Sequence, residues 1–115
     1  MSAGPGSALR APETDSVRIA ESAVVLGTAH LGQATLLAQG AVIRAYGTGV
    51  ELGTGSAVLE NSVAVGTPGM RTTIGRRTTF GHRCKIIGAV VGDLCEIGNA
   101  SILMPGARVG DRVAR

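Results

Sequence analysis

The sequence predicts an all-β protein built as a parallel β-helix of three-sided coils. Three observations point there. An aliphatic residue recurs every six positions along most of the chain. Glycine supplies 18 of the 115 residues. Rings are almost missing, with one Tyr, one Phe and no Trp. Six is an even number, so in an extended chain the marked aliphatics all face the same way. It fits the 3.6-residue period of a helix poorly, and a Gly in each unit would cost a helix about 1 kcal/mol apiece. Three six-residue units make one triangular coil of about 18 residues, and self-similarity at a fixed period is the mark of a repeat architecture.

The units follow in order. The first run is Ile19, Val25, Leu31, Leu37 and Ile43. After a three-residue slip the series resumes at Leu52, Val58 and Ala64, and the insertion GTPGMRTT follows. It returns at Ile74, Phe80 and Ile86, loses one residue, and ends with Val91, Ile97, Leu103 and Val109. These fifteen units predict about five coils with an interior of stacked aliphatics and no need of rings. Four positions after each aliphatic the residue is nearly always small, as at Ala23, Ser56, Ser62, Thr78, Cys84 and Cys95. Such residues suit a tight bend in the wall. Gly often follows the aliphatic directly, as at Gly32, Gly53, Gly75, Gly81, Gly92, Gly98 and Gly110. The expectation is that it supplies the backbone freedom of a corner. Residues 1–16 carry Gly, Pro, Ser and Ala without the repeat and read as a flexible tail, which leaves 17–115 as the β-helix domain.

Bulk composition removes several functional classes. The hydrophobic fraction is 44% and the net charge only +3, which excludes disorder. The Gly has no three-residue period, which excludes collagen. Nucleic-acid binding by base stacking lacks its aromatic residues. No apolar run reaches the roughly 18 residues of a membrane span, and the N-terminus has no apolar core of a secretory signal. Cytoplasmic placement is the expectation. Cys84 and Cys95 fall two units apart, on different faces of the triangle, and are expected as buried small hydrophobes rather than a disulfide or a metal pair.

Three stretches carry a resemblance to a known family: VIRAYGTGVELGTGSAVLENSVAVGTPG, IGRRTTFGHRCKIIG and VGDLCEIGNASILMPGARVGD. Over Ile43–Asp111 the chain resembles the γ-class carbonic anhydrase group of the hexapeptide-repeat superfamily. The resemblance implies a left-handed coil, against the usual right-handed crossover, and a trimer. It implies a zinc ion held by three His from two subunits, whose bound water is acidified for attack on carbon dioxide. Residue by residue, the first family His falls on Val65, the second on His82 and the third on Ile87. His82 is the sole retained metal position. Arg44 matches the family Arg, Tyr46 stands for its Asp, Leu59 for its Gln and Glu60 for its next Asp. Arg44 and Glu60 are remnants of the site, expected as a structural ion pair across neighbouring coils.

The resulting expectation is a catalytically inactive γ-carbonic-anhydrase-like protein with a scaffold or regulatory role, as a homotrimer or a mixed trimer with a related subunit. No cofactor is expected, unless a partner completes the zinc site and so restores hydration. The competing reading is an acyl-CoA-dependent acyltransferase of the same superfamily, with His30 or His82 as general base. Arg71, Arg76, Arg77, Arg83 and Lys85 form a basic stretch without an intervening acid, either an anion site or a solvated wall. The C-terminal helix of the family is not encoded up to Arg115, and the last coil is expected to show an open strand edge.

Overall fold

The computed structural model describes residues 17–114. The tail expected at residues 1–16 lies outside the described residues. Thirteen short strands make up the rest: β1 (Arg18–Ile19), β2 (Val24–Leu31), β3 (Leu36–Leu37), β4 (Val42–Leu52), β5 (Ala57–Val58), β6 (Val63–Gly66), β7 (Thr72–Ile74), β8 (Thr79–Phe80), β9 (Lys85–Ile87), β10 (Val90–Val91), β11 (Glu96–Ile97), β12 (Ile102–Leu103) and β13 (Arg108–Val109). There is no helix among the described residues, hence none long and apolar enough to cross a membrane.

Every strand pairing is parallel, and the pairings sort the chain into three faces. Face 1 stacks β1, β3, β5, β8 and β11. Face 2 stacks the first halves of β2 and β4 with β6, β9 and β12. Face 3 stacks the second halves of β2 and β4 with β7, β10 and β13. Each face therefore has five rungs and four stacking steps, which is the β-solenoid the six-residue period predicts.

The marked aliphatics form one inward column per face. Ile19, Leu37, Val58, Phe80 and Ile97 line face 1. Val25, Ile43, Ala64, Ile86 and Leu103 line face 2. Leu31, Leu52, Ile74, Val91 and Val109 line face 3. All are buried except Ile19 in the first coil and Leu103 and Val109 in the last, which are partly buried against the core. The one ring of the inward series, Phe80, is the largest fully buried side chain. The coil before it offers Val58, Ala64 and Ile74, and Ala64 is the smallest residue of the aliphatic series.

The small residue before each strand is buried and is more than a space-saver. Ser62 Oγ donates to the Gly81 carbonyl at 2.7 Å and accepts the Cys84 N–H at 2.9 Å, both in the following coil. Ser56 does the same with the Gly75 carbonyl at 2.6 Å and the Thr78 N–H at 3.0 Å. Thr78 continues with the Gly92 carbonyl and the Cys95 N–H. The two cysteines take the donor half of this role, Cys84 Sγ to the Gly98 carbonyl at 3.2 Å and Cys95 Sγ to the Gly110 carbonyl at 3.0 Å. Both are free and buried, so their placement as small core residues holds. Buried polar groups must be paired, and here the pairing ties each coil to its successor.

The Gly after each aliphatic has a different reason from the expected one. None of Gly32, Gly53, Gly75, Gly81, Gly92 and Gly110 has a positive φ. Except at Gly110, in the last coil, their neighbours come too close instead. A Cβ on Gly53 would meet the Gly75 carbonyl carbon at 2.7 Å, and one on Gly32 would meet the Thr54 nitrogen at 2.8 Å. The left-handed conformation falls two residues later, on Ala34, Gly55, Arg77, Leu94 and Arg112 at one edge, and on Gly40, Asn61, Arg83 and Ala100 at another.

The slip and the insertion stack on each other at the edge between faces 2 and 3. A Cβ on Gly47 would meet Pro68 Cα at 2.7 Å. Thr48 Oγ1 donates to the Thr67 carbonyl at 3.0 Å, and Arg71 Nε donates to the Thr48 carbonyl at 3.1 Å. Thr72, inside, donates to the Val65 carbonyl at 2.6 Å and accepts the Gly88 N–H at 2.8 Å, which closes the bulge from within.

Two substitutions test this account in urea unfolding. Ser62→Ala strands a buried carbonyl and a buried N–H, and the expected loss is about 1–3 kcal/mol. Leu94→Asn removes an exposed Leu from a left-handed position at φ 58°. Asn adopts that conformation more readily, and the expected gain is about 0.5–1 kcal/mol.

Candidate functional site

The edge between faces 1 and 2 carries the retained histidine. In each coil this edge is a two-residue turn whose first residue stacks on its counterpart in the next coil. The successive residues are Glu21, Gln39, Glu60, His82 and Asn99. Asn99 Oδ1 accepts the His82 N–H at 2.8 Å and so anchors its backbone. His82 Nε2 lies 3.0 Å from Glu60 Oε1, with both side chains about half exposed. This is a surface imidazole–carboxylate pair, in which the carboxylate can orient the ring.

This geometry corrects the expected Arg44–Glu60 pair. Glu60 stands at the edge before β6, whereas Arg44 lies near the far end of the same face, in β4. Glu60 engages His82 instead, and the Arg44 guanidinium sits 5.6 Å from the centroid of the Tyr46 ring. Tyr46 is itself 48% exposed. An Arg over an aromatic face gains a cation–π attraction, and Tyr46 stands where the resemblance implies an Asp. His30 faces outward on face 3, across from Glu51 in the register, and forms no ion pair among the described residues.

The other two family metal positions come together. Val65 and Ile87 are register partners on β6 and β9, and Arg44 precedes them in the same outward column of face 2. His82 lies in the turn before β9, at the opposite end of that rung. Zinc needs nitrogen, sulfur or oxygen donors, and Val65 and Ile87 offer none. These residues do not fit the metal that the resemblance implies. Among the described residues no group of three His, Cys, Asp or Glu side chains converges.

The basic stretch is dispersed by the coil. Arg71 pairs with Glu51 at 3.6 Å. Arg76 pairs with Asp93 at 3.3 Å on the edge between faces 3 and 1. Arg83 stands on the His82 edge and Lys85 on face 2. Only Arg76 and Arg77 remain together, at a cleft of about 430 Å³ with Thr54, Asp93 and Leu94. The Arg76 backbone N–H, donating to Asp93 Oδ1 at 2.8 Å, holds the Asp93 carboxyl below its ordinary pKa, and the Arg76 guanidinium adds to the effect. Both ion pairs and the His82–Glu60 pair escaped the linear reading, because each joins residues 17 to 22 positions apart. That distance is about one coil once the insertions are counted, so the signal was the spacing of acids from bases by one coil.

No protein-family profile matches the chain, and no curated protein matches it. A solved structure does. The chain is similar to a hexapeptide transferase family protein from Anaplasma phagocytophilum, with a TM-score of 0.72 and 24% identity over 84% of this chain and 67% of that one. At this identity the likeness establishes the hexapeptide-repeat β-helix fold.

Acid titration of stability tests the Asp93 assignment. A carboxyl with a depressed folded-state pKa stabilises the fold above its unfolded value, near 4, and loses that contribution as pH falls through the folded value. Asp93→Asn is expected to flatten the part of the pH dependence below about 4, read as Tm against pH. An unchanged acid limb would show that the Asp93 contact carries no folding free energy.

Proposed function

We propose that this protein is a γ-carbonic-anhydrase-like hexapeptide-repeat scaffold whose zinc site has become part of an apolar docking face, through which three copies assemble. The observation that carries the reading is the outward column of face 2. Where the resembled family places imidazoles, Val65 and Ile87 stack as neighbours. Val42, Val63, Ile102 and Met104 add apolar surface on this face, the last two 57% and 58% exposed, with Arg44 and Lys85 as its charged members. Face 3 contrasts with it, presenting His30, Glu51, Thr73 and Arg108 outward, with Val90 the one aliphatic of that column. Contiguous exposed apolar surface marks an interaction site, and closed symmetry is the rule for soluble homo-oligomers. Zinc-dependent hydration plays no part in this reading.

Sedimentation equilibrium at micromolar concentration is expected to give a trimer, and Ile87→Asp a folded monomer. A monomeric wild type would end the proposal, and so would carbon dioxide hydration by the purified chain.

The His82–Glu60 pair supports a second reading, acyl transfer with His82 as general base. The chemistry would be removal of a proton from an acceptor hydroxyl or amine as it attacks a thioester carbonyl. Under this reading coenzyme A raises the Tm of the folded protein, and His82→Gln abolishes acyl transfer while leaving the Tm of the free protein within a degree or two. An unchanged Tm at millimolar coenzyme A would remove it.

A further inference from the structure

On the edge between faces 3 and 1, side-chain oxygens of the next coil close the turns at Arg76 and Asp93, and none closes the turn at Thr54. The first turn residues of this edge are Gln33, Thr54, Arg76, Asp93 and Asp111. At two of them the backbone N–H donates to the side chain of the counterpart one coil on. Asp93 Oδ1 accepts the Arg76 N–H at 2.8 Å, and Asp111 Oδ1 accepts the Asp93 N–H at 2.8 Å. On the neighbouring edge Asn99 Oδ1 accepts the His82 N–H in the same way, at 2.8 Å. A side-chain oxygen from the next coil thus closes an otherwise open turn.

At Thr54 the counterpart is Arg76, which has donors and no acceptor. The Thr54 N–H and hydroxyl have no acceptor among the described residues. Arg77 leans back toward this coil, since a Cβ on Gly55 would meet Arg77 Cγ at 3.1 Å. Its guanidinium pairs with no carboxylate among the described residues. The Arg76 guanidinium is held beside the same cleft by Asp93, at 3.3 Å. The cleft of about 430 Å³ therefore gathers an open backbone N–H, a hydroxyl and two guanidinium groups around a place where the neighbouring coils put a carboxylate.

We propose that this cleft binds a tetrahedral oxyanion, a phosphate group either free or carried by a small molecule. The anion takes the position of the missing carboxylate. It accepts hydrogen bonds from the Thr54 N–H and hydroxyl and receives the Arg77 guanidinium, whose planar fork suits phosphate oxygens. Asp93 is already matched by Arg76, so the cleft keeps a net positive charge from Arg77. The basic stretch read in the sequence thus contributes its Arg76–Arg77 pair to the site, while Arg71, Arg83 and Lys85 lie elsewhere. The inference stands apart from the proposed assembly, because it involves a different part of the surface.

Amide chemical shifts of the ¹⁵N-labelled protein, at constant ionic strength, test the site with two probes, inorganic phosphate and glycerol phosphate. The expected result is a saturable shift centred on Thr54 and Arg77, with a millimolar or lower Kd for at least one probe. Tighter binding of glycerol phosphate would identify a carried phosphate as the ligand, and tighter inorganic phosphate a free one. Arg77→Ala should weaken binding at least tenfold, whereas Arg83→Ala, on the other edge, should leave it unchanged. Arg76→Asp supplies the missing carboxylate and should abolish binding in a protein that stays folded by its amide spectrum. No saturable shift with either probe would overturn the proposal, as would equal binding by the Arg77→Ala variant.

Discussion

Every feature of this molecule depends on one constraint, the register of each coil on the next. The strands are two or three residues long over most of the fold, too short to be stable in any other setting. They hold because the ladder runs through five rungs on each of three faces and because Ser56, Ser62 and Thr78 fasten the corners from inside. The hydroxyl of such a residue reaches both a carbonyl and an N–H of the following coil. A slip of one residue would break both bonds and turn the aliphatic columns outward. The closeness of the coils also explains why Gly follows the strand, since at Gly53 even a methyl group would run into the backbone below.

Fixed register makes the outside as ordered as the inside. Each outward position becomes a column, and each column acquires a chemical character of its own. On face 2 the outward residues are mostly aliphatic, interrupted by Arg44 and Lys85. On face 3 the outward column is mostly polar or charged. At the edges the turn residues form polar ladders in which a side chain of one coil closes the backbone of its neighbour. The His82–Glu60 pair belongs to one ladder and the Thr54–Arg76 break to the other. Chemistry in this fold is therefore set by what stands one coil away.

This explains what the sequence disclosed and what it withheld. The inward columns were legible because a six-residue period survives the slip at Gly47, the GTPGMRTT insertion and the lost residue near Gly88. Cys84 and Cys95 were placed in the core correctly for the same reason. Phe80 falls on the inward series of the sequence, and the room for its ring beside Ala64 of the preceding coil is the sort of detail periodicity does not weigh. The corner Gly residues were assigned conformational freedom when the real cause is contact between coils, a three-dimensional fact with no local signature. The Arg44–Glu60 pair was expected from coil adjacency alone, without regard to which end of face 2 each residue occupies. Glu60 lies 22 residues upstream of His82 in the sequence, yet it is the next residue in its column.

The central claim is that an intact hexapeptide-repeat scaffold carries an apolar surface where the resembled family holds zinc. The most direct test is the zinc content of the purified wild type after equilibration with zinc and a chelator wash, beside a Val65→His/Ile87→His double variant. The account predicts a wild type with far less than stoichiometric zinc, and a gain of bound zinc in the variant once its copies assemble around His82. Stoichiometric, chelator-resistant zinc on the wild-type chain would contradict it.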